Sequence, residues 1–296
     1  MSDLVILNPY SNRWKAQAQR PALEAALKAF EVDYEIVETS GPGHATQLAE
    51  TAARNGARRL IAAGGDGTIG EIVNGLYRAV PTGELPVLGI MPLGTANDLV
   101  VNLGLPRTIM GAAEAFKRGI TKRIDLGRVN DWVYANNSAV GLEPVVTLYN
   151  IRMTRLRGVV RYLVAALRAI ASGPRWDMQL AWDEGEYSGP VSLVSVGNCP
   201  LTGGLFRMAP AADPADGLLT FVYGYAPTKL KMLSLLPRAI NGSYVDDPAI
   251  HQHHTTRLTI HSQPPTPLQA DGEIRGETLT DLNYEVIPAK LAVFCA

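Results

Sequence analysis

A chain of 296 residues is long for one domain and comfortable for two. With 47% hydrophobic and 19% charged residues it can bury a sizeable core, which excludes a disordered chain. A formal net charge of −1 argues against a general nucleic-acid binder, and two cysteines, Cys199 and Cys295, make neither a disulfide framework nor a metal spacing.

The first residues have no basic region and too short an apolar run for a secretory signal. Leu4–Leu7 predicts a buried strand, ended by Asn8-Pro9 and followed by the small polar groups of Ser11 and Asn12. Residues 21–30 have helical spacing, Tyr34–Val37 reads as a second strand, and 38–43 as a loop. His44–Asn55 predicts a helix that stops at Gly56, and Leu60–Ala63 a third strand. This alternation implies a doubly wound parallel sheet, with ligands beyond the carboxyl ends of its strands. Asn8, Thr39 and Gly64 all fall at such ends.

The third strand runs into Gly64-Gly65-Asp66-Gly67-Thr68, with a helix expected from Thr68. Glycines let backbone N–H groups approach phosphate oxygens, and a helix N-terminus adds partial positive charge. A carboxylate in such a loop makes sense if a divalent cation sits between Asp66 and the phosphates. The plainer alternative is a tight strand–turn–helix connection without a ligand. Val87–Met91 is a fourth strand, and it runs into a second loop of the same kind, Gly94-Thr95-Ala96-Asn97-Asp98. Two such loops suggest one shared phosphate and metal site. A helix over 108–118 follows.

Past about residue 125 the pattern changes to strands with turn residues, among them 132–137, 176–182, 191–196, 218–223, 256–261 and 283–287. The exception is an expected helix over 152–171. It places Arg157, Arg161 and Arg168 on one face and Leu156, Val159, Leu163, Leu167 and Ile170 on another. The basic face is either an ordinary solvated face or a contact for anionic lipid head groups. His251, His253 and His254 are read as part of a polar surface loop rather than a metal site, and Trp132, Trp176 and Trp182 as strand residues. No stretch reaches the ~18 uninterrupted apolar residues that a membrane span requires.

The motifs, taken together, carry a resemblance. Asn8-Pro9, the Gly64–Thr68 loop, Asn74, Gly94–Leu99, Asp125–Gly127 and Asn136–Gly141 are followed by Gly197-Asn198, Gly203-Gly204 and Ala209-Pro210. Asp216–Leu219 and Asp271-Gly272-Glu273 complete the series. The sequence resembles the bacterial diacylglycerol kinase family of soluble lipid kinases, similar in their catalytic domain to eukaryotic diacylglycerol and sphingosine kinases. The resemblance implies an α/β nucleotide-binding domain over 1–125 and a β-rich sandwich over 126–285, with ATP between them. A last strand over 286–296 would return to the first domain. The 64–70 loop, including Ile69 and Gly70, would hold ATP phosphates, with Asn8, Pro9, Thr39, Gly94, Thr95 and Asn97 near the nucleotide. Asp66 and Asp98 look placed to organise catalytic Mg²⁺. Glu273 resembles the family's general base, with Asp271 as the substitute. Asp216, with the carbonyls of Asp213 and Leu218, matches a structural Mg²⁺ loop.

Three positions depart from the family pattern: Asn12 after the first Asn-Pro, Val100-Val101 after the Asn-Asp loop, and Leu205 after Gly203-Gly204. Asn tolerates left-handed backbone, so the first turn is expected to survive. The reading is an ATP- and Mg²⁺-dependent lipid kinase, with diacylglycerol as the first choice of acceptor. It would be cytoplasmic, visit the membrane surface through the 152–171 helix, bind no nucleic acid, and be compatible with a homodimer. The rivals are a kinase with a soluble acceptor such as NAD, and a catalytically silent nucleotide or lipid sensor.

Overall fold

A computed structural model describes residues 2–153 and 158–295 and divides the chain into two compact units. The first comprises Met1–Leu126 with Pro288–Ala296, the second Gly127–Ile287. Leu156 and Arg157, and the side chain of Val159, lie outside the described residues.

The first unit alternates β1 (Asp3–Leu7), α1 (Lys15–Ala29), β2 (Tyr34–Glu38), α2 (His44–Arg54), β3 (Arg59–Gly64), α3 (Asp66–Ala79) and β4 (Val87–Pro92). Two further helices, α4 (Asp98–Asn102) and α5 (Ile109–Arg118), precede β5 (Thr121–Val129). The strands pair in parallel in the order β4-β3-β1-β2, and the returning segment adds Val293 opposite Leu88 of β4. Side chains alternate across a strand, so each short apolar run serves both faces. Val5, Leu7, Ile61, Ala63 and Met91 pack with Leu23 and Leu27 of α1 and Phe116 of α5. Ile6, Leu60, Ala62 and Ile90 are buried on the other face, where α2 lies against β1 and α3 against β3. From β1 the chain goes to β2 on one side and then to β3 on the other, so strand order reverses between β1 and β3. Open parallel sheets bind ligands at such a switch point.

The second unit is antiparallel and β-rich: β6 (Trp132–Tyr134), β7 (Asn137–Gly141), β8 (Trp176–Trp182), β9 (Gly185–Val191) and β10 (Leu193–Gly197). A short pair, β11 (Leu201–Thr202) and β12 (Phe206–Arg207), leads to β13 (Leu219–Gly224), β14 (Ile250–Thr255), β15 (Arg257–Ala270) and β16 (Glu273–Phe294), the last of which passes into the returning segment. One run of pairing is β14-β13-β10-β7-β15, another β9-β8-β15. The long β15 joins both because its register with β16 shifts between His261 and Thr266 and again towards Gln269. Such irregularities bend a strand from one layer to the next. The core between the layers contains Val140, Val196 and Phe221 with Met178, Leu258 and Tyr284. Outside it lie α6 (Leu142–Arg152), α7 (Gly158–Ser172) and α8 (Lys229–Asn241). No helix among the described residues is long and apolar enough to cross a membrane.

Several elements differ from the sequence expectation. Helix α1 starts at Lys15 rather than near 21, because Pro21 sits within it instead of opening it. Helix α3 starts at Asp66, so Asp66, Gly67 and Thr68 form its first turn. The expected strand over 132–137 breaks at Ala135-Asn136, which turn to meet a carboxylate described below. Two helices, α6 and α8, stand where none was expected, and β9 was not foreseen. His251, His253 and His254 are on strand β14, not in a loop. The His253 ring packs against Trp182 at 4.8 Å and Phe221 at 5.5 Å, and burial pushes its pKa below the usual imidazole value. On α7, Ile170 is buried, but Leu167 is 47% exposed beside the exposed Arg168 and does not share its face.

Candidate active site

In the first unit, the two glycine loops meet at the carboxyl ends of β3 and β4, beside the end of β1. A Cβ on Gly94 would lie 2.5 Å from Gly65 Cα, and one on Gly64 would strike Thr68. Side chains at these two positions are therefore excluded, by backbone at Gly94 and by the Thr68 side chain at Gly64, and the loops expose peptide groups there instead. The Ile69 N–H donates to Gly65 O within α3. The amides without a partner inside the helix are consequently those of its first turn, 66–68, where the helix dipole also favours an anion. Ile69 itself is buried in the core, and Gly70 O accepts from Asn74 Nδ2.

Polar side chains surround this turn. Asn8 Nδ2 donates to Thr68 Oγ1 at 3.0 Å, and Ser11 Oγ lies 3.4 Å from the same hydroxyl. Asn97 is left-handed (φ 53°), and its side chain closes its own loop, accepting from Gly94 N and donating to Gly94 O. Thr95 Oγ1 donates to Asn12 Oδ1 at 3.2 Å. Asn12 takes φ 51°, and the left-handed geometry continues through Arg13 and Trp14, a strained run for residues with a Cβ.

Asp66 Oδ1 accepts the Leu99 N–H at 3.2 Å, which ties the first loop to the start of α4. Burial raises its carboxyl above the usual range, while the amides of 97–99 oppose that shift. Asp98 is buried in the first turn of α4, next to those amides. The structure thus gathers Asn8, Asn12, Gly64, Gly65, Asp66, Thr68, Gly94, Thr95, Asn97 and Asp98. Pro9 is buried behind them, and Thr39 is buried at the end of β2, its N–H bound to Leu7 O. Sequence reasoning missed Glu71, whose carboxylate accepts from Gly43 N and Ala45 N and so caps α2. Its partners are 28 and 26 residues away, and nothing local signals them.

In the second unit, Asp271 (φ 49°) and Gly272 (φ 79°) form a two-residue turn between the paired Ala270 and Glu273. Two positive φ values in succession are what Asp-Gly hairpins supply. The Asp271 carboxylate accepts three backbone N–H groups, from Ala135 and Asn136 at 2.9 Å and from Asn137 at 3.1 Å. That explains the break in the expected 132–137 strand. Glu273, the next side chain after the turn, is exposed. Behind the turn, Gln269 Oε1 accepts from Gly272 N, and Gln269 Nε2 donates to Glu143 Oε1. Asn137 Nδ2 donates to the same oxygen, while Asn137 Oδ1 accepts from Thr202 Oγ1. Neither Glu143 nor Gln269 was singled out from sequence. A lone acid inside the apolar run 139–146 was the available signal for Glu143.

Glu143 borders an apolar cavity walled by α6, α7 and α8, with Val146, Tyr162, Phe206, Leu236 and Ile250 among its lining. In the 212–218 loop, Asp213 Oδ1 accepts from Ala215 N and Asp216 Oδ1 from Leu218 N, with Gly217 at φ 76°. Both carboxylates are exposed, and each commits one oxygen to its turn. No group of three or more His, Cys, Asp or Glu side chains converges among the described residues.

Comparison with known proteins finds two family models on the chain. A family model described as the diacylglycerol kinase catalytic domain matches residues 3–129, and one described as the YegS C-terminal NAD kinase beta sandwich-like domain matches 137–295. The chain is 29% identical over 278 residues to a diacylglycerol kinase of Bacillus subtilis, covering 92% of this chain and 89% of that one. It is 28% identical over 276 residues to a diacylglycerol kinase of Staphylococcus aureus, covering 92% and 86%. A crystal structure of a candidate diacylglycerol kinase from Bacillus anthracis superposes with a TM-score of 0.81 at 22% identity, covering 100% of this chain and 97% of that one, a likeness of fold. The chain belongs to the bacterial diacylglycerol kinase family of lipid kinases.

Proposed function

We propose that the protein transfers the γ-phosphate of ATP to the free hydroxyl of diacylglycerol, giving phosphatidic acid. The observation that carries this reading is the meeting of two glycine loops and two aspartates at the carboxyl end of the parallel sheet, next to its switch point. The relatives named diacylglycerol kinase support the choice of acceptor.

In this reading the amides of 66–68 and the 94–95 loop hold the phosphates of ATP. Asn8, Pro9, Thr39, Ile69, Gly70 and Asn97 build the wall around the nucleotide. Asp66 and Asp98 are hard oxygen donors, the kind of ligand that suits Mg²⁺. When bound, the ion neutralises charge on the transferring phosphate. Glu273 accepts the proton of the lipid hydroxyl as the oxygen attacks γ-phosphorus and ADP leaves. Asp216, with carbonyls of Asp213 and Leu218, offers only oxygen donors and fits a second, structural Mg²⁺. The acyl chains occupy the apolar cavity behind α6–α8. The enzyme meets its substrate at the membrane surface, with exposed apolar residues of α7 and α8 as the contact.

A soluble acceptor such as NAD is the second reading, since the C-terminal family carries an NAD kinase-like description. The apolar lining of the cavity disfavours it. The deciding experiment is transfer of labelled γ-phosphate to a panel of lipids in mixed micelles, with NAD alongside. Labelled phosphatidic acid is expected. Transfer to NAD alone, or ATP binding with no transfer to any acceptor, would overturn the proposal.

A further inference from the structure

Glu143 is 7% exposed in the first turn of α6, beside the apolar cavity. Both polar neighbours that donate to it, Asn137 Nδ2 at 3.0 Å and Gln269 Nε2 at 3.2 Å, converge on one oxygen, Oε1. The other, Oε2, is buried and has no hydrogen-bond partner among the described residues. Ser195 Oγ, fully buried nearby, also has no partner in hydrogen-bonding geometry, although its hydroxyl is near enough to lower the Glu143 pKa. No cationic side chain pairs with Glu143 among the described residues. The titratable groups near enough to feel its charge are Tyr244, from the short helical turn after α8, and Tyr284 of β16, both phenols whose pKa is raised first by burial.

Two opposing effects set the ionisation of this carboxyl. Its place at a helix start favours charge, but burial is the larger effect and raises its pKa to about 7. In the neutral form the proton cannot sit on Oε1, where two N–H donors already point. It sits on Oε2, which is then a buried O–H donor with no acceptor in hydrogen-bonding geometry among the described residues. A buried donor without a partner is unfavourable until something supplies one. An acyl chain in an apolar cavity brings one group of that kind, the ester carbonyl.

Resting on the kinase reading above, we infer that Glu143 is a specificity-determining residue: its Oε2–H donates to an ester carbonyl of the acylglycerol whose chain fills the cavity. The site therefore selects ester lipids over ether lipids of the same length. Gln269 and Asn137 keep the carboxyl oriented by saturating its other oxygen.

The test is a binding comparison with the full-length protein, using 1,2-dioctanoylglycerol and its diether analogue 1,2-dioctylglycerol, which differ only in the two carbonyls. One hydrogen bond predicts about 3- to 10-fold tighter binding of the diester by the wild type at pH 6. Sign follows from the pKa: the preference is present below about 7 and fades by pH 8 as the proton leaves. Glu143→Gln keeps Oε1 as acceptor and places an N–H donor at the second position, so it retains the preference at both pH values. Glu143→Leu binds both lipids equally. Equal binding by the wild type at pH 6, binding of neither lipid, a preference that grows at pH 8, or a preference surviving in Glu143→Leu overturns the inference. If Glu143→Leu does not fold, the pH response of wild type against Glu143→Gln decides alone. Binding is read without ATP, so failure of phosphate transfer would remove the kinase reading and leave this comparison standing.

Discussion

Asp271 and Glu273 are both acids on one turn, but the surrounding backbone uses them differently. Asp271 is bound by three amides of 135–137 and holds the β7 edge against the hairpin. Glu273 is exposed and carries the proposed role of base. Glu273→Gln is expected to fold and bind ATP normally, with turnover reduced ~10²–10⁴-fold, the usual contribution of a general base. Near-normal turnover in that variant would remove Glu273 from the role. Asp271→Asn should instead lower stability, by about 1.5–3 kcal/mol for hydrogen bonds to a lost charge. Matched urea unfolding curves for Asp271→Asn and wild type would contradict the structural assignment. The sequence made the pair visible, since Asp-Gly-Glu stands out, but not the division of labour. The amides that engage Asp271 are 134 to 136 residues away. Glu143 and Gln269 were hidden for the same reason: each makes sense only through partners that folding brings to it.

At the scale of elements, what local periodicity encodes was legible. The short apolar runs of β1, β3 and β4, each ended by Asn, Pro or glycine, pointed to the parallel sheet and to its carboxyl ends, but the strand order and its switch point came only with the fold. Helix α6 was not, because Gly141-Leu142-Glu143-Pro144 reads as the end of a strand, although Pro144 sits harmlessly in the first turn. Helix α8 was hidden by Pro237 within it. These two helices and α7 carry exposed apolar side chains, as do Trp14, Met110 and Ile120 of the first unit. Leu230 of α8 is 79% exposed, and Leu233, Val160 and Ile151 are exposed too. Helices α7 and α8 touch, so their exposed residues can enter one interface together. For the proposed membrane contact, the double variant Leu167→Asp, Leu230→Asp should weaken sedimentation with phosphatidylglycerol-containing vesicles by at least tenfold. Burying each leucine is worth about 1.5–3 kcal/mol, which is lost with the substitution. Turnover on a short-chain, micelle-free diacylglycerol should be unchanged. Vesicle binding equal to wild type would place the contact elsewhere.

At the scale of the whole chain, the first unit is not a contiguous stretch of sequence. It is completed by Pro288–Ala296, which returns after the entire second unit has been made. This segment contributes a strand beside β4, with Val293 opposite Leu88. It buries Leu291, Val293 and Phe294, the last 5.7 Å from the Phe116 ring. Two polar anchors fix it further. Ala289 N donates to the buried Asp125, and Lys290 Nζ donates to the carbonyls of Val80, Pro81 and Gly83 at the end of α3. Full burial of three such side chains is worth roughly 4–9 kcal/mol, comparable with the whole stability of a typical domain, about 5–15 kcal/mol. A fragment of residues 1–126 should therefore lack a cooperative thermal transition, with near-ultraviolet dichroism lost and dye-accessible apolar surface gained. Joining residues 288–295 to it through a flexible linker should restore the transition, and carrying Phe294→Ala in that joined chain should lower its stability by about 3–5 kcal/mol. A fragment 1–126 that unfolds cooperatively at the same temperature as the joined chain would show that the returning strand is only an ornament on a unit already complete. The expected result would instead mean that the glycine loops of the proposed nucleotide site reach their final geometry only after the last residues of the chain have docked.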